Sequence, residues 1–458
     1  MVQSGIRQFE QAVLDLKAKM QGRVVTRQDE GYENARKVWN GAVNHHPVAI
    51  AFCQSAEDVQ AAVRAARDHG MPLSVRGGGH DVAGRSVRSD GLIIDLSMMD
   101  YVHIDDQIAT IGGGATAAKV IATATARNLL AVTGWHGVPG MIGTTTAGGY
   151  GPLIASHGLA LDSLTGAELV LADGRRLIVD RDKDPDLLWA LKGGGGNFGV
   201  VTSMKVRLHP ARRILGGMIL FPWEGADAVL RRYAEAIASA SINLSVVVGF
   251  ISLPDGGPAL FLAPAWSGET SEGEIAMKVL KGCGKPIFAQ IASMSYQDLI
   301  QSFDARVMND RHYAIETRWI PALNPETIAA LTTGGASRTS PLSTIILQHF
   351  RGLPTQIPLD STAFGLRREH LLVEIIACWD PIAGDDGSVH TRWARDLSQR
   401  LAPMSLPGGY PNILAPQAHD QIAHAYGDNL ERLQALKRRF DPEGSFSATP
   451  LPIEPRDR

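Results

Sequence analysis

Glycine in this chain is clustered, and the clusters limit what its first half can fold into. Of 458 residues, 48 are glycine, more than the usual ~7%, and many bunch at 77–79, 112–114, 148–151 and 193–196. Consecutive glycines weaken a helix or strand interior; they mark backbone that turns sharply or passes close to something else. RGGGHDVAG (76–84) follows the predicted strand PLSVR but precedes no helical pattern, so it fails the context of a Rossmann GxGxxG. It is no Walker A loop either, because no Gly-Lys-Ser/Thr is present. Its amides suit an anion nest such as a pyrophosphate would fill, and equally a plain tight turn. GMIGTTTAGGYGPLIASHGLALDSL (140–164) adds hydroxyl and amide donors, and LKGGGGNFGVVTS (191–203) adds a glycine loop leading into a buried strand. Three such loops in one α+β unit imply an extended ligand threaded along backbone.

Around the glycines the pattern alternates. Ile6, Phe9, Val13 and Leu16 space a helix over 5–19, VAIAF (48–52) is a strand, and Ser55 caps a helix over 57–70. TAAKVIATATARNL (116–129) reads as a helix, ELVLADG and RRLIVD as a hairpin turned at Asp173-Gly174, and PDLLWALKG as a short helix. A seam falls at His209-Pro210. From 217 to about 400, longer strands alternate with helices, which predicts an α+β unit on a mostly antiparallel sheet. The tail reads as one helix over 419–440, stopped by Asp441-Pro442.

Composition removes several function classes. With 44 Lys+Arg against 47 Asp+Glu, a nucleic-acid or membrane-surface role driven by net charge is disfavoured. Cys53, Cys283 and Cys378 lie far apart with no CxxC, so neither a disulfide framework nor a metal site is expected, and each reads as inert filler. The first twenty residues carry charges throughout and no apolar leader core, so the expected location is cytoplasmic.

Taken in order, these stretches resemble the FAD-linked oxidases of the vanillyl-alcohol oxidase superfamily, in its berberine-bridge-enzyme-like branch. RGGGHDVAG, GTTTAGGYGPLIASHGLALD, GGGGNFGVVTS, TAFGLRREHLLVEIIACW (362–379), GGYPNIL (408–414) and YGDNLERLQALKRRFDPEGSF (426–446) carry the likeness along nearly the whole chain. It implies a two-part FAD-binding domain, residues 1–212 plus a return segment 405–458. Between them lies a substrate domain, residues 213–404, with an antiparallel sheet backed by helices. It also implies an oxidoreductase passing a hydride from a small alcohol, amine or heterocyclic substrate to FAD, with O2 as oxidant. A dehydrogenase with another acceptor and a redox-neutral cyclase are the alternatives. The oligomeric state stays open.

Carried over residue by residue, the first loop supplies flavin contacts from Arg76, Gly77, Gly78, Gly79, His80, Asp81 and Gly84. The second supplies His136, Gly140, Gly143, Thr144, Thr145, Gly148, Gly149, Tyr150, Gly151, His157 and Gly158, and later stretches supply Gly199, Val200, Val201 and Asn412. By itself His80 reads as a hydrogen-bonded turn residue. The resemblance implies that it carries FAD through the flavin 8α-methyl group, a reaction that needs a neutral imidazole. Many relatives add a second bond from a cysteine seven residues before the position of Gly143. Here that residue is His136, so a single link is expected, with His136 either facing the substrate or simply packed. Pro139 stands at the position that tunes oxygen access in the family.

The strand TIILQHFRG (344–352) alternates Ile345, Leu347, His349 and Arg351 on one face with Ile346, Gln348 and Phe350 on the other. His349 falls where a nicotine-oxidising member has a catalytic carboxylate, and it is taken as the base, with Arg351 as an anion holder. Both also read as ordinary sheet-surface residues. Tyr410 and Asn412 keep two positions of the family's Tyr-x-Asn-Tyr, but Ile413 replaces the second aromatic, which disfavours sugar-type oxidation. Tyr410 is therefore a pocket candidate. Glu374 and His370 read as surface or core-edge groups.

Overall fold

A computed structural model of the protein describes residues 2–452 except 306 and 383, with the backbone alone for 2–8. The helix Val2–Lys19 buries Phe9, Val13 and Leu16, while the side chain of Ile6 lies outside the described residues. It packs beside the helix Ala56–Asp68, whose cap Ser55 accepts a hydrogen bond from the Asp58 amide at 3.2 Å. Both cover a four-stranded sheet ordered Val24–Thr26, Ala49–Phe52, Leu92–Asp95, Leu73–Arg76. The last three strands run parallel. Their carboxyl ends are where a ligand settles on such a sheet, and the first glycine loop leaves from one of them.

A second sheet is antiparallel, ordered Val102–Asp105, Ile108–Gly112, Val200–Pro210, Leu164–Val170, Arg176–Asp180, with Leu129–Ala131 pairing the far end of Val200–Pro210. The helices Ala117–Thr125 and Pro185–Leu191 bury Val120, Ala124, Leu187 and Leu191 in its core. Leu433 and Leu436 of the C-terminal helix Leu430–Phe440 join the same core. The tail thus returns to the first half. It is not one continuous helix: His419–Ile422 ends early and Gly427 takes a φ of 47°. Asn429 interrupts it for a reason, donating to the carbonyls of Leu359, Thr362 and Phe364. Residues 453–458 of the expected return segment lie outside the described residues.

The third sheet has seven strands, all antiparallel. The order is Phe288–Met294, Ile214–Pro222, Pro258–Trp266, Leu244–Ser252, Thr344–Phe350, His370–Trp379, His312–Ile320. One face packs on the helices Ala226–Ala238, Thr270–Lys281, Pro325–Ala336 and Ser388–Leu401 through Leu230, Met277, Leu331 and Trp393. The other face turns toward the glycine loops. Among the described residues no helix is long and apolar enough to cross a membrane.

Candidate active site

Between the glycine loops and the free face of the seven-stranded sheet lies a cavity of about 790 Å³. That is within the usual size for cofactor and substrate sites. Its two walls differ in kind.

The first wall is mostly backbone. Gly77, Gly78, Gly79, His80 and Asp81 face Gly140, Gly143 and Thr144, and Gly195, Gly196, Gly199 and Val201 continue the surface. A Cβ on Gly78 would lie 2.2 Å from the Gly140 nitrogen, and one on Gly140 would lie 2.6 Å from the Gly78 nitrogen. The two loops touch only because both residues lack side chains. The side-chain amide of Asn197, which the sequence reading did not single out, donates to Thr449 Oγ1 at 2.8 Å and accepts from the Ala448 amide at 2.7 Å. The segment 446–449 is thereby brought onto the same wall.

Several buried polar atoms of residues on this wall have no hydrogen-bond partner among the described residues: Ser74 Oγ, Ser86 Oγ and Trp39 Nε1. Arg88 lines the cavity and makes no hydrogen bond or ion pair among the described residues. Leaving such groups dry is costly, so they fit a large polar ligand that supplies their partners. An anionic dinucleotide running over glycine amides, hydroxyls and a free guanidinium meets that description.

His80 makes no hydrogen bond among the described residues. Its ring stacks on Trp39, with centroids 5.1 Å apart. Burial pushes its pKa down to about 4, with nearby His136 acting in the same direction and Asp304 opposing. The imidazole is therefore neutral at neutral pH, a nucleophile rather than a cation. His136 lines the cavity, its Nδ1 3.6 Å from Asp304 Oδ1. Burial alone would raise the Asp304 carboxyl, but His136 and the Gly137 amide hold it below the usual range.

The second wall is mostly side chains, and largely apolar: Val247, Ile251, Phe261, Ile346 and Ile376. Into it the strands Thr344–Phe350 and His370–Trp379 turn Gln348 and Glu374. Gln348 Nε2 donates to Glu374 Oε2 at 2.9 Å, while Gln348 Oε1 has no partner. Glu374 is the one carboxylate that this sheet contributes to the cavity among the described residues. Burial holds it above the usual carboxylate range, although the Gln348 bond works against the shift. Tyr410 and Asn412 close the cavity beside it. The Gly149 amide donates to the Tyr410 hydroxyl at 2.9 Å, and the Tyr410 ring lies 5.1 Å from that of Tyr150. Burial raises both phenols, so both stay protonated donors. Cys378 also lines the cavity, and burial raises its thiol, so it is a neutral wall residue.

Several expected contacts lie elsewhere. His349 and Arg351 sit on the helix-covered side of the sheet, with Ile345 and Leu347, and do not reach the cavity. His349 Nε2 is 3.0 Å from Glu369, and Arg351 donates to the carbonyls of Ser241, Leu244 and Ala240 after the helix Ala226–Ala238. The alternation along the strand agrees with the structure, and the face chosen from the sequence is the one that packs on the helices. Arg76 is spent on Asp95 and the carbonyls of Ala35 and Lys37.

Gly84, Thr145, Gly148, Gly151, Gly158 and Val200 stand behind the first wall rather than on it. Gly148 gives way to the Tyr410 ring and Gly151 to the Thr133 carbonyl, while Val200 joins the hydrophobic core. His157 bonds Ser156 Oγ at 2.8 Å and packs edge-on against His209, with its pKa pushed down to about 4 by burial, so it is structural. Asp162 is likewise structural, paired with Arg367 at 2.8 Å. His370, read as a surface or core-edge group, is fully buried and bonds the Tyr150 hydroxyl at 2.8 Å.

Comparison with known proteins agrees with this geometry. The family model described as FAD binding domain matches residues 47–180, and the one described as berberine and berberine like matches residues 409–450. The FAD-linked oxidoreductase aurO of Gibberella zeae is 32% identical, over 97% of this chain and 87% of its own. The chain belongs to the berberine-bridge-enzyme-like family of FAD-linked oxidoreductases. The (R)-6-hydroxynicotine oxidase of Paenarthrobacter nicotinovorans is 31% identical, over 93% of this chain and 95% of its own. The crystal structure of 6-hydroxy-D-nicotine oxidase from Arthrobacter nicotinovorans superposes with a TM-score of 0.86 at 28% identity, covering 94% of this chain and 97% of that one. A glucooligosaccharide oxidase from Acremonium strictum, described with a 6-S-cysteinyl, 8α-N1-histidyl FAD, has a TM-score of 0.86 at 23% identity, over 96% of this chain and 99% of its own, and shares the fold. The stretch matched by the FAD binding domain model contains the first two glycine loops of the backbone wall.

Proposed function

We propose that the protein is an oxidase that takes a hydride from a small, largely apolar alcohol, amine or heterocyclic substrate and passes the electrons to O2, giving hydrogen peroxide. FAD, held by one bond to His80, supplies the two-electron acceptor. The observation that carries the reading is Glu374. It is a carboxylate fixed by Gln348 on an otherwise apolar wall, facing the cavity that the glycine loops close from the other side. A carboxyl raised by burial accepts the O–H or N–H proton of a substrate better than an ordinary surface carboxylate. Tyr410 and Asn412 hold the substrate's polar atom, and the wall formed by Val247, Phe261, Ile346 and Ile376 holds its apolar body and excludes water. Neither Lys nor Arg projects from the strand pair beside Glu374, so the substrate is not an anion at that point.

Support for a single link is that His136 stands where many relatives have cysteine. Support for oxidase chemistry is the likeness to the nicotine oxidase. Pro139 on the cavity wall favours a second reading, a dehydrogenase using another acceptor. The test is acid precipitation of the yellow protein, followed by peroxide and dye-reduction assays over alcohols and amines. Flavin that stays in the wild-type pellet and washes out of His80→Ala supports the link. Peroxide formed in step with substrate loss supports the oxidase. Dye reduction without peroxide selects the dehydrogenase.

A further inference from the structure

Trp39 lies far from the glycine motifs in sequence, yet it meets His80 in space. The indole stacks on the His80 imidazole at 5.1 Å and 20°, and also on the Tyr313 ring, 4.1 Å away at 26°. Tyr313 belongs to the edge strand His312–Ile320 of the seven-stranded sheet, so the stack runs from one half of the molecule to the other. The adjoining backbone clamps it there. The Trp39 amide donates to the Gly79 carbonyl at 3.2 Å, and the Gly41 amide to the Arg311 carbonyl at 2.9 Å. Buried Asn40 donates to the carbonyls of Val82 and Tyr313 and accepts from the Tyr313 amide, at 2.9, 3.0 and 3.0 Å. A three-residue segment thus ties the His80 loop to the substrate-facing sheet.

Among the described residues His80 has no hydrogen bond to orient it, and it follows Gly79, whose φ is +67°. Among the described residues, stacking on Trp39 is the ring contact that orients it. That leaves both nitrogens untied, which a nucleophile requires. Trp39 lines the same cavity, its buried indole Nε1 without a hydrogen bond among the described residues.

We propose that Trp39 is the positioning residue for covalent flavin attachment at His80, holding the imidazole plane in the attacking orientation. This rests on the covalent link proposed above. The reaction joins an imidazole nitrogen to the flavin 8α-carbon. One N–H and one C–H bond break, and two electrons with two protons pass on to dioxygen as hydrogen peroxide. Losing the stack frees the ring to rotate. Misalignment of a reacting group by about 1 Å costs on the order of a hundredfold in rate.

The test compares wild type, Trp39→Leu, Trp39→Phe and His80→Ala, purified and incubated with excess FAD. Visible absorbance of the folded protein gives total bound flavin, and the acid pellet gives the attached share. In Trp39→Leu, flavin remains bound while attachment slows by roughly a hundredfold. Trp39→Phe, which keeps a stacking ring, stays within about tenfold of wild type. Attachment at the wild-type rate in Trp39→Leu overturns the proposal. So does equal loss of bound flavin from both Trp39 variants, which would make Trp39 a packing residue. Acid-labile flavin in the wild type itself overturns the covalent reading, a result distinct from either.

Discussion

The two walls of the cavity are built on opposite principles. The glycine wall works by absent side chains: Gly78 and Gly140 touch, and glycines of three loops line the space. The sheet wall works by present ones: apolar residues enclose a single Gln348–Glu374 pair. The difference shows how one cavity serves two ligands. A dinucleotide shared by many enzymes is held by backbone, which tolerates little substitution. A substrate particular to one enzyme is met by side chains on a rigid sheet, each of which can change without disturbing strand pairing.

That contrast is sharpened most by Glu374→Gln. It keeps shape and hydrogen bonding but removes the proton acceptor, and kcat is expected to fall by about 10²–10⁴-fold with covalent flavin unchanged. The wild-type pH profile checks the same point. A base works ionised, and burial raises the pKa of Glu374, so activity falls as pH drops through that raised value and recovers above it. The acidic limb disappears in Glu374→Gln. A wild-type rate with no acidic limb would remove Glu374 from the chemistry.

Gly78→Ala tests the other wall. Its Cβ has no room beside Gly140, so the loops must part, which costs about 1–3 kcal/mol and lowers bound flavin. Thermal unfolding and visible absorbance read this directly. Unchanged flavin content would show that the contact between the loops does not shape the site.

The smallest effects are expected on the far side of the sheet. Arg351→Met strands three carbonyls and lowers stability by about 1–3 kcal/mol, read by denaturant unfolding, with kcat within about twofold of wild type. His349→Ala loses a pairing with the exposed Glu369, costing about 1 kcal/mol or less, and leaves the pH profile in place. A large loss of kcat in His349→Ala with the fold intact would return the base to the face chosen from the sequence.

Legibility followed the same division. The glycine loops could be read because their chemistry is local: a residue without a side chain, next to a strand end, declares a close approach wherever the chain goes. His80, Gly143 and Tyr410 were placed by the family resemblance, and the cavity holds all three. His349 and Glu374 show the limit. Alternation with a period of two sorts Ile345, Leu347 and His349 from Ile346 and Gln348, and both sets are mostly apolar. Nothing along the strand says which set meets four helices and which meets the cavity. Trp39 carried no local signal, since its contacts with His80 and Tyr313 join residues 41 and 274 positions away in the chain.

By itself, then, the sequence determined the family, through motifs that resemble it in order along the chain, and the antiparallel sheet and glycine loops, because glycine content, strand period and caps act over a few residues. The tertiary structure alone decided which face of the sheet meets the cavity, that Arg351 donates to backbone carbonyls, and that an indole from the N-terminal segment stacks on His80. These depend on which surfaces are buried against each other, a property of packing between segments that no short stretch of chain contains.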